Sequence, residues 1–287
     1  MLNEVTTVLL GTAQDGGFPQ VGCTSECCVN VWSQPDQHRL PCALGLIDPS
    51  EKKRWMIDCT PAFPQQWHRL NQVSPVEWGL NGIFITHAHL GHYTGLLQLG
   101  KEAWANQSMP VYVMPRMMHF LSNNAPWCDL ISQGHIHFKV LQHQSDVHLS
   151  PKLTLTPIQV PHRDEHSETI GFLINADGNR AIYISDIDHW NDTALDIVSQ
   201  IQNCDIAWLD GTFYSMAELP NRNRAHIPHP TLLDSISAFC TLKQTDKAKI
   251  HFFHFNHSNP ILKVNSAERT KVINAGFKIA NDLDQWP

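Results

Sequence analysis

The sequence predicts an α/β layered fold, because short β-rich apolar runs recur along its 287 residues with helix-compatible stretches between them. Eighteen histidines, many clustered near aspartates, glycines and those same runs, mark where metal chemistry would sit. The chain has no short-period repeat, low-complexity segment or Pro/Gly/Ser linker, so one domain over residues 1–287, made of two strand-rich halves, is expected.

In the first half, strands are predicted at residues 6–10, 42–47, 54–57, 83–85 and 111–114. The second half repeats the mode at 153–160, 170–174, 181–184, 206–209 and 250–253. Helix signals cover 63–70, 96–105, 116–123, 193–202, 231–242 and 266–275.

Composition narrows the partners. The formal net charge is −7, charged residues make up 16%, and no basic block or acidic tail occurs, so nucleic acid is not an expected partner. Met1-Leu2-Asn3-Glu4 carries no basic region, and Val8-Leu9-Leu10 is too short for a secretory core. No run approaches the roughly 18 apolar residues that cross a bilayer. A soluble cytoplasmic protein is expected, with no membrane partner. Its eight cysteines then call for roles other than disulfides.

The central motif is Ile83-Phe84-Ile85-Thr86-His87-Ala88-His89-Leu90-Gly91-His92, an apolar strand running into a loop with three imidazoles. Neutral imidazole ligates zinc well, and a folded-back loop can aim His87 and His89 at one metal while His92 faces a second. Three surface loop histidines are the alternative, which the strand exit makes the poorer reading.

This stretch resembles the signature of the metallo-β-lactamase superfamily, His-x-His-x-Asp-His after a buried strand. Further family motifs match in order: Trp55-Met56-Ile57-Asp58, Val160-Pro161-His162, Ala181-Ile182-Tyr183-Ile184-Ser185-Asp186 and His251-Phe252-Phe253-His254. The resemblance spans nearly the whole chain and implies a four-layer αββα sandwich. It also implies that His87, His89 and His162 hold one metal, that Asp186 is shared, and that His92 and His254 face a second. The family aspartate between the second and third histidines is Gly91 here, which removes a carboxylate from the second position and predicts a weaker site. Asp164 and His166 are candidate substitutes.

A second cluster, Cys23-Thr24-Ser25-Glu26-Cys27-Cys28, places three thiols in a loop after the first strand. Such spacing cannot complete a tetrahedral zinc site alone, so either a distant histidine joins it or the thiols are buried or free. Gly17-Phe18-Pro19-Gln20 with Cys23 and Cys28, and the late His254-Phe255-Asn256-His257-Ser258-Asn259-Pro260, resemble the pyrroloquinoline quinone biosynthesis protein B (PqqB) group of the superfamily. Phosphonate-pathway cyclic phosphodiesterases are related to that group. The resemblance implies a structural zinc site of Cys23, Cys27, Cys28 and His257, although Ser25 stands where the usual Cys-x-Cys-x2-Cys spacing has its middle cysteine. Cys42, Cys59, Cys128, Cys204 and Cys240 are expected to be small buried hydrophobes.

The expected function is metal-dependent hydrolysis of a phosphodiester or small ester by a metal-activated water, with Asp186 orienting the nucleophile. His166 is the candidate proton donor to the leaving group, with a surface position as its alternative. The segment Arg222-Asn223-Arg224-Ala225-His226-Ile227-Pro228-His229 could line a pocket for an anionic small-molecule substrate or form a solvated loop. Asp210-Gly211-Thr212 is placed at the pocket rim. Zinc is the expected active-site metal, with iron or manganese as alternatives. Two other functions compete: an iron-dependent oxidation like that implied by the PqqB resemblance, and metal-stapled binding without turnover.

Overall fold

The computed structural model describes residues 4–191, 195–219 and 228–287. Its strands form two seven-stranded sheets. The first runs β14 (Gln285–Trp286), β1 (Thr6–Gly11), β2 (Ala43–Asp48), β3 (Lys53–Ile57), β4 (Ile83–Phe84), β5 (Met109–Val113), β6 (Ile136–Val140). The second runs β13 (Lys278–Ile279), β12 (Ile250–Phe253), β11 (Ile206–Asp210), β10 (Asn179–Ile184), β9 (Ile170–Ala176), β8 (Leu153–Gln159), β7 (Val147–Ser150).

Each strand sends alternate side chains to opposite faces, and in most strands both faces are buried. Between the sheets, Leu44, Ile57 and Phe84 pack against Leu155, Phe172, Tyr183 and Trp208. Phe84 meets Phe172 edge to face with centroids 5.6 Å apart. On the outer face of the first sheet, Ile83, Val111 and Ile136 meet α2 (Phe63–Val73), α4 (Pro115–Asn123) and α5 (Trp127–Ser132). On that of the second, Ile182, Leu209 and Ile250 meet α6 (Ile197–Gln202), α7 (Leu232–Ala238) and α9 (Ala267–Asn274). The layers are therefore helix, sheet, sheet, helix, as the sequence resemblance implied.

Three short helices lie in connecting segments: α1 (Glu26–Val29), α3 (Leu90–Tyr93) and α8 (Gln244–Lys247). The helix expected at 96–105 is instead a 3-10 turn over Thr94–Leu99 followed by irregular turns, with Ala105 at φ 53°. Gly95 and Gly100 bracket that turn, and a regular helix would carry both at the cost of backbone entropy. The helix expected at 193–202 is described only from Ile197, and the one at 231–242 stops at Ala238. Parallel pairing runs from the middle of each sheet to one edge, β3 to β6 in the first and β10 to β13 in the second. The carboxyl ends of such strands are where α/β sheets place ligands.

Candidate metal centre

The candidate site side chains follow strand ends. β3 leads to Asp58, β4 to the histidine loop, β8 to His162, β10 to Asp186, β11 to Asp210 and β12 to His254. One ligand atom each from His87, His89, His162 and Asp186 lies within 4.8 Å of the others. His87 Nε2 is 2.8 Å from His89 Nδ1 and 3.9 Å from Asp186 Oδ1, and His162 Nε2 is 3.7 Å from that same oxygen. The other carboxylate oxygen, Asp186 Oδ2, stands 3.5 Å from both His92 Nε2 and His254 Nε2.

These residues fit a metal. Tetrahedral ligands at about 2.0–2.1 Å from an ion stand about 3.4 Å apart, within the observed spread. His92 Nε2, His162 Nε2, His254 Nε2 and Asp186 Oδ2 are buried with no hydrogen-bond partner. Buried polar atoms ordinarily find partners, so orphans converging on one space indicate that a cation belongs there.

Remote hydrogen bonds fix the rings. Asp58 Oδ2 accepts from His92 Nδ1 at 2.7 Å, while Asp58 Oδ1 accepts from the Thr86 backbone N–H at 3.0 Å. Asp188 Oδ1 holds His162 Nδ1 at 2.8 Å, and Thr86 and Thr212 hydroxyls contact Nδ1 of His87 and His254 at 3.0 and 2.9 Å. Each contact turns Nε2 inward, which orients and sharpens a ligand. Burial, with His92 beside it, pushes His87 well below the ordinary histidine range, and burial pushes His89 down to about 4. Neutral imidazoles are the ligating form. Burial opposes the charge on Asp186, but His254, His87, His92 and His162 outweigh it and keep the carboxyl well below its usual range.

Near Gly91 the structure departs from expectation. Asp164 pairs with Arg116 at 3.0 Å, and exposed His166 stacks on Phe120 with centroids 5.3 Å apart, so neither stands at the second position. The carboxylate there belongs to Asp15, from the loop after β1, with Oδ1 3.2 Å from His92 Nε2 and 3.9 Å from His254 Nε2. Burial opposes ionisation of Asp15, yet its contact with His92 holds the carboxyl below its ordinary value.

His229, named from the sequence only as the end of a candidate pocket-lining segment, stands beside the cluster. It is buried, its Nδ1 is 2.7 Å from Asp210 Oδ2, and its ring is 5.0 Å from that of His162. Burial lowers its proton affinity, but Asp210 overcomes this and raises it above the ordinary value. Asp210 and Thr212 are fully buried beneath the ligands, so this segment is a floor that orients His229 and His254, not the expected rim. His229 and Asp15 open onto a cavity of about 740 Å³, also lined by Arg163, Phe213, Glu218 and His257. Of the segment proposed to line an anion pocket, residues 222–227 lie outside the described residues, and Pro228 and His229 line this cavity.

The second cluster also converges. Cys23 Sγ is 3.6 Å from Cys27 Sγ, which is 3.9 Å from Cys28 Sγ, and His257 Nδ1 is 3.6 and 3.4 Å from Cys27 and Cys28. Tetrahedral zinc bonded at about 2.3 Å to sulfur and 2.0 Å to nitrogen sets edges of about 3.8 and 3.5 Å. Of the other cysteines, Cys42, Cys59 and Cys204 are buried, but Cys128 is half-buried and Cys240 exposed, because they lie at the solvent side of α5 and just past α7.

Comparison with known proteins gives a consistent picture. A family model described as a beta-lactamase superfamily domain matches residues 53–255. Coenzyme PQQ synthesis protein B of Methylorubrum extorquens (strain PA1) is 23% identical over 298 residues, covering 96% of this chain and 97% of that protein. Its counterpart in Xanthomonas campestris pv. campestris (strain B100) is 24% identical over 307 residues, covering 96% and 97%. Among solved structures, Zn(2+)-bound PqqB from Methylobacterium extorquens aligns with TM-score 0.82 at 22% identity, covering 98% of this chain and 99% of that one. A diphosphatase from the PhnP family aligns with TM-score 0.67 at 22% identity, covering 100% and 98%. At these identities the structural likeness establishes a shared fold.

Proposed function

We propose that this chain, which belongs to the beta-lactamase superfamily, is a hydrolase with a two-metal centre that cleaves a small anionic phosphodiester or ester. One observation carries this reading: the two oxygens of Asp186 face separate imidazole sets, His87 and His162 on one side, His92 and His254 on the other. The nitrogen-rich donor set suits zinc, in keeping with the zinc in the PqqB structure, and tolerates manganese or iron. When bound, such a metal pair makes a water nucleophilic at neutral pH and draws charge from the scissile group.

The chain's own residues supply the rest. Asp186 fixes the spacing between the two positions. His229, held through Nδ1 by Asp210, has Nε2 left for proton transfer and is the proposed donor to the leaving-group oxygen, in place of His166. Arg163 gives the cavity a cation for an anionic substrate, and a volume of about 740 Å³ suits a small molecule. Cys23, Cys27, Cys28 and His257 are proposed to hold a structural zinc, and a reducing cytoplasm would keep such thiols available.

The full-length likeness to coenzyme PQQ synthesis protein B fits a second reading, the metal-dependent oxidation implied by the PqqB resemblance in the sequence. Zinc- or manganese-loaded protein is expected to hydrolyse bis-(p-nitrophenyl) phosphate, to lose activity to a chelator and to regain it with metal. Iron-dependent oxygen uptake with no hydrolysis would support the second reading and overturn the first.

A further inference from the structure

Gly91 lies in the short helix α3 and has no left-handed backbone angle, so its presence is not explained by conformation. Glycine within a helix costs roughly 1 kcal/mol relative to alanine, and a packing reason is expected where it occurs. That reason is Asp15. A Cβ on Gly91 would stand 2.5 Å from Asp15 Cα and 2.7 Å from Asp15 Cγ, too close for either residue to stay where it is.

We infer that Asp15 is a ligand of the second metal position, supplying from the loop after β1 the carboxylate that Gly91 lacks. The inference rests on the two-metal reading and adds a donor to it. Asp15 Oδ1 and Asp186 Oδ2 each face His92 Nε2 and His254 Nε2, at four carboxylate-to-imidazole separations that run from 3.2 to 3.9 Å. This brackets the roughly 3.4 Å expected around a tetrahedral ion. Three of the four atoms are the partnerless buried ones. Without Asp15 the position would have one shared carboxylate oxygen and two neutral donors. With it, a second negative charge faces the cation from the side that Gly91 leaves open.

The loop is anchored as a ligand loop should be. The Ala13 N–H donates to Leu40 O at 2.9 Å, and the Gln14 N–H donates to Phe255 O at 2.9 Å, directly after His254. Asp15 and His254 are thus tied to the same strand end. Glycine at 91 and aspartate at 15 are coupled: the Asp15 carboxylate fills the space that a side chain at 91 would take. One other group competes for the role. Cys42 Sγ lies within 4.8 Å of a ring nitrogen of His92 and of His254. Cys42 is buried, and the Cys42→Ser variant separates its contribution from that of Asp15.

Titration of the metal-free full chain with cobalt(II), followed by calorimetry and visible absorption, tests the assignment. Any cobalt in the thiolate cluster reports separately through its sulfur-to-cobalt band. The wild type is expected to fill two positions at the histidine centre. Asp15→Asn should keep first-ion affinity and weaken the second ion by on the order of 100-fold, at or beyond the upper end for losing a group that only orients a ligand. Gly91→Ala, which crowds Asp15 out, should reproduce this effect, and Cys42→Ser should retain both ions. Unchanged first-ion affinity and melting temperature show that a variant is folded, and either Asp15→Asn or Gly91→Ala alone suffices. Normal second-ion binding by Asp15→Asn, or its loss in Cys42→Ser only, would overturn the assignment. A wild type that holds a single ion would overturn both this inference and the two-metal reading. Two ions in the wild type without hydrolysis, one of them lost in Asp15→Asn, would remove the hydrolase reading and leave Asp15 standing.

Discussion

At His92 the two ring nitrogens have separate duties, Nδ1 bonded to Asp58 and Nε2 turned to Asp186 and Asp15. The sequence made such a candidate ligand legible, since three closely spaced histidines follow an apolar strand. It did not reveal what fills the gap at Gly91, because Asp15 is remote in the chain and only folding brings it near. His229 was legible only as a pocket-lining residue: its pairing with Asp210, on another element, is announced by no local spacing. Replacing His229 with alanine should lower kcat by about 10²–10⁴-fold while metal content stays unchanged, as steady-state rates and elemental analysis would check. Away from the centre, His251 on β12 is pushed down to about 4 by burial and by Lys278. Unfolded, it titrates near 6.5. As pH falls below about 6.5 the unfolded chain gains a proton that the native state refuses, so stability drops until pH nears 4. Chemical denaturation across this window should give a shallower pH slope for His251→Gln than for the wild type.

At the scale of elements, the strands within apolar runs were readable, even two-residue β4, and the strands at the sheet edges were not. β6 reads Ile-His-Phe-Lys-Val and lies at a sheet edge with Lys139 and Val140 exposed, so its pattern lacks a buried signature. β13 and β14 have two residues each, defined by pairing rather than by sequence. The segment leading from α2 into β4 depends on buried Arg54, which donates to Gly79 O at 2.7 Å, Asn71 Oδ1 at 2.9 Å and Val76 O at 3.2 Å. Its guanidinium also sits 4.5 Å from the Trp67 ring centroid. Arg54→Ala would strand several buried acceptors and should destabilise the fold by about 3 kcal/mol in urea denaturation, more than a surface Arg→Ala change would.

Across the whole molecule, the order of the motifs told which halves must meet, and the sheets then bring Asp58, His87, His89 and His92 from one against His162, Asp186 and His254 from the other. The thiolate cluster joins the loop after β1 to the segment after β12, close to the anchor that places Asp15. If zinc braces it, Cys23→Ser should lose one metal ion and about 3 kcal/mol, on the order of 6–12 °C in Tm. The proposed junction of two metal positions at Asp186 has a direct consequence for metal content. Its most direct test is an elemental count on protein purified without chelator, wild type beside Asp186→Ala. Two ions are expected at the histidine centre in addition to the thiolate ion, with both histidine-centre ions lost in the variant. A wild type carrying only the thiolate ion, or a variant with an unchanged count, would contradict it.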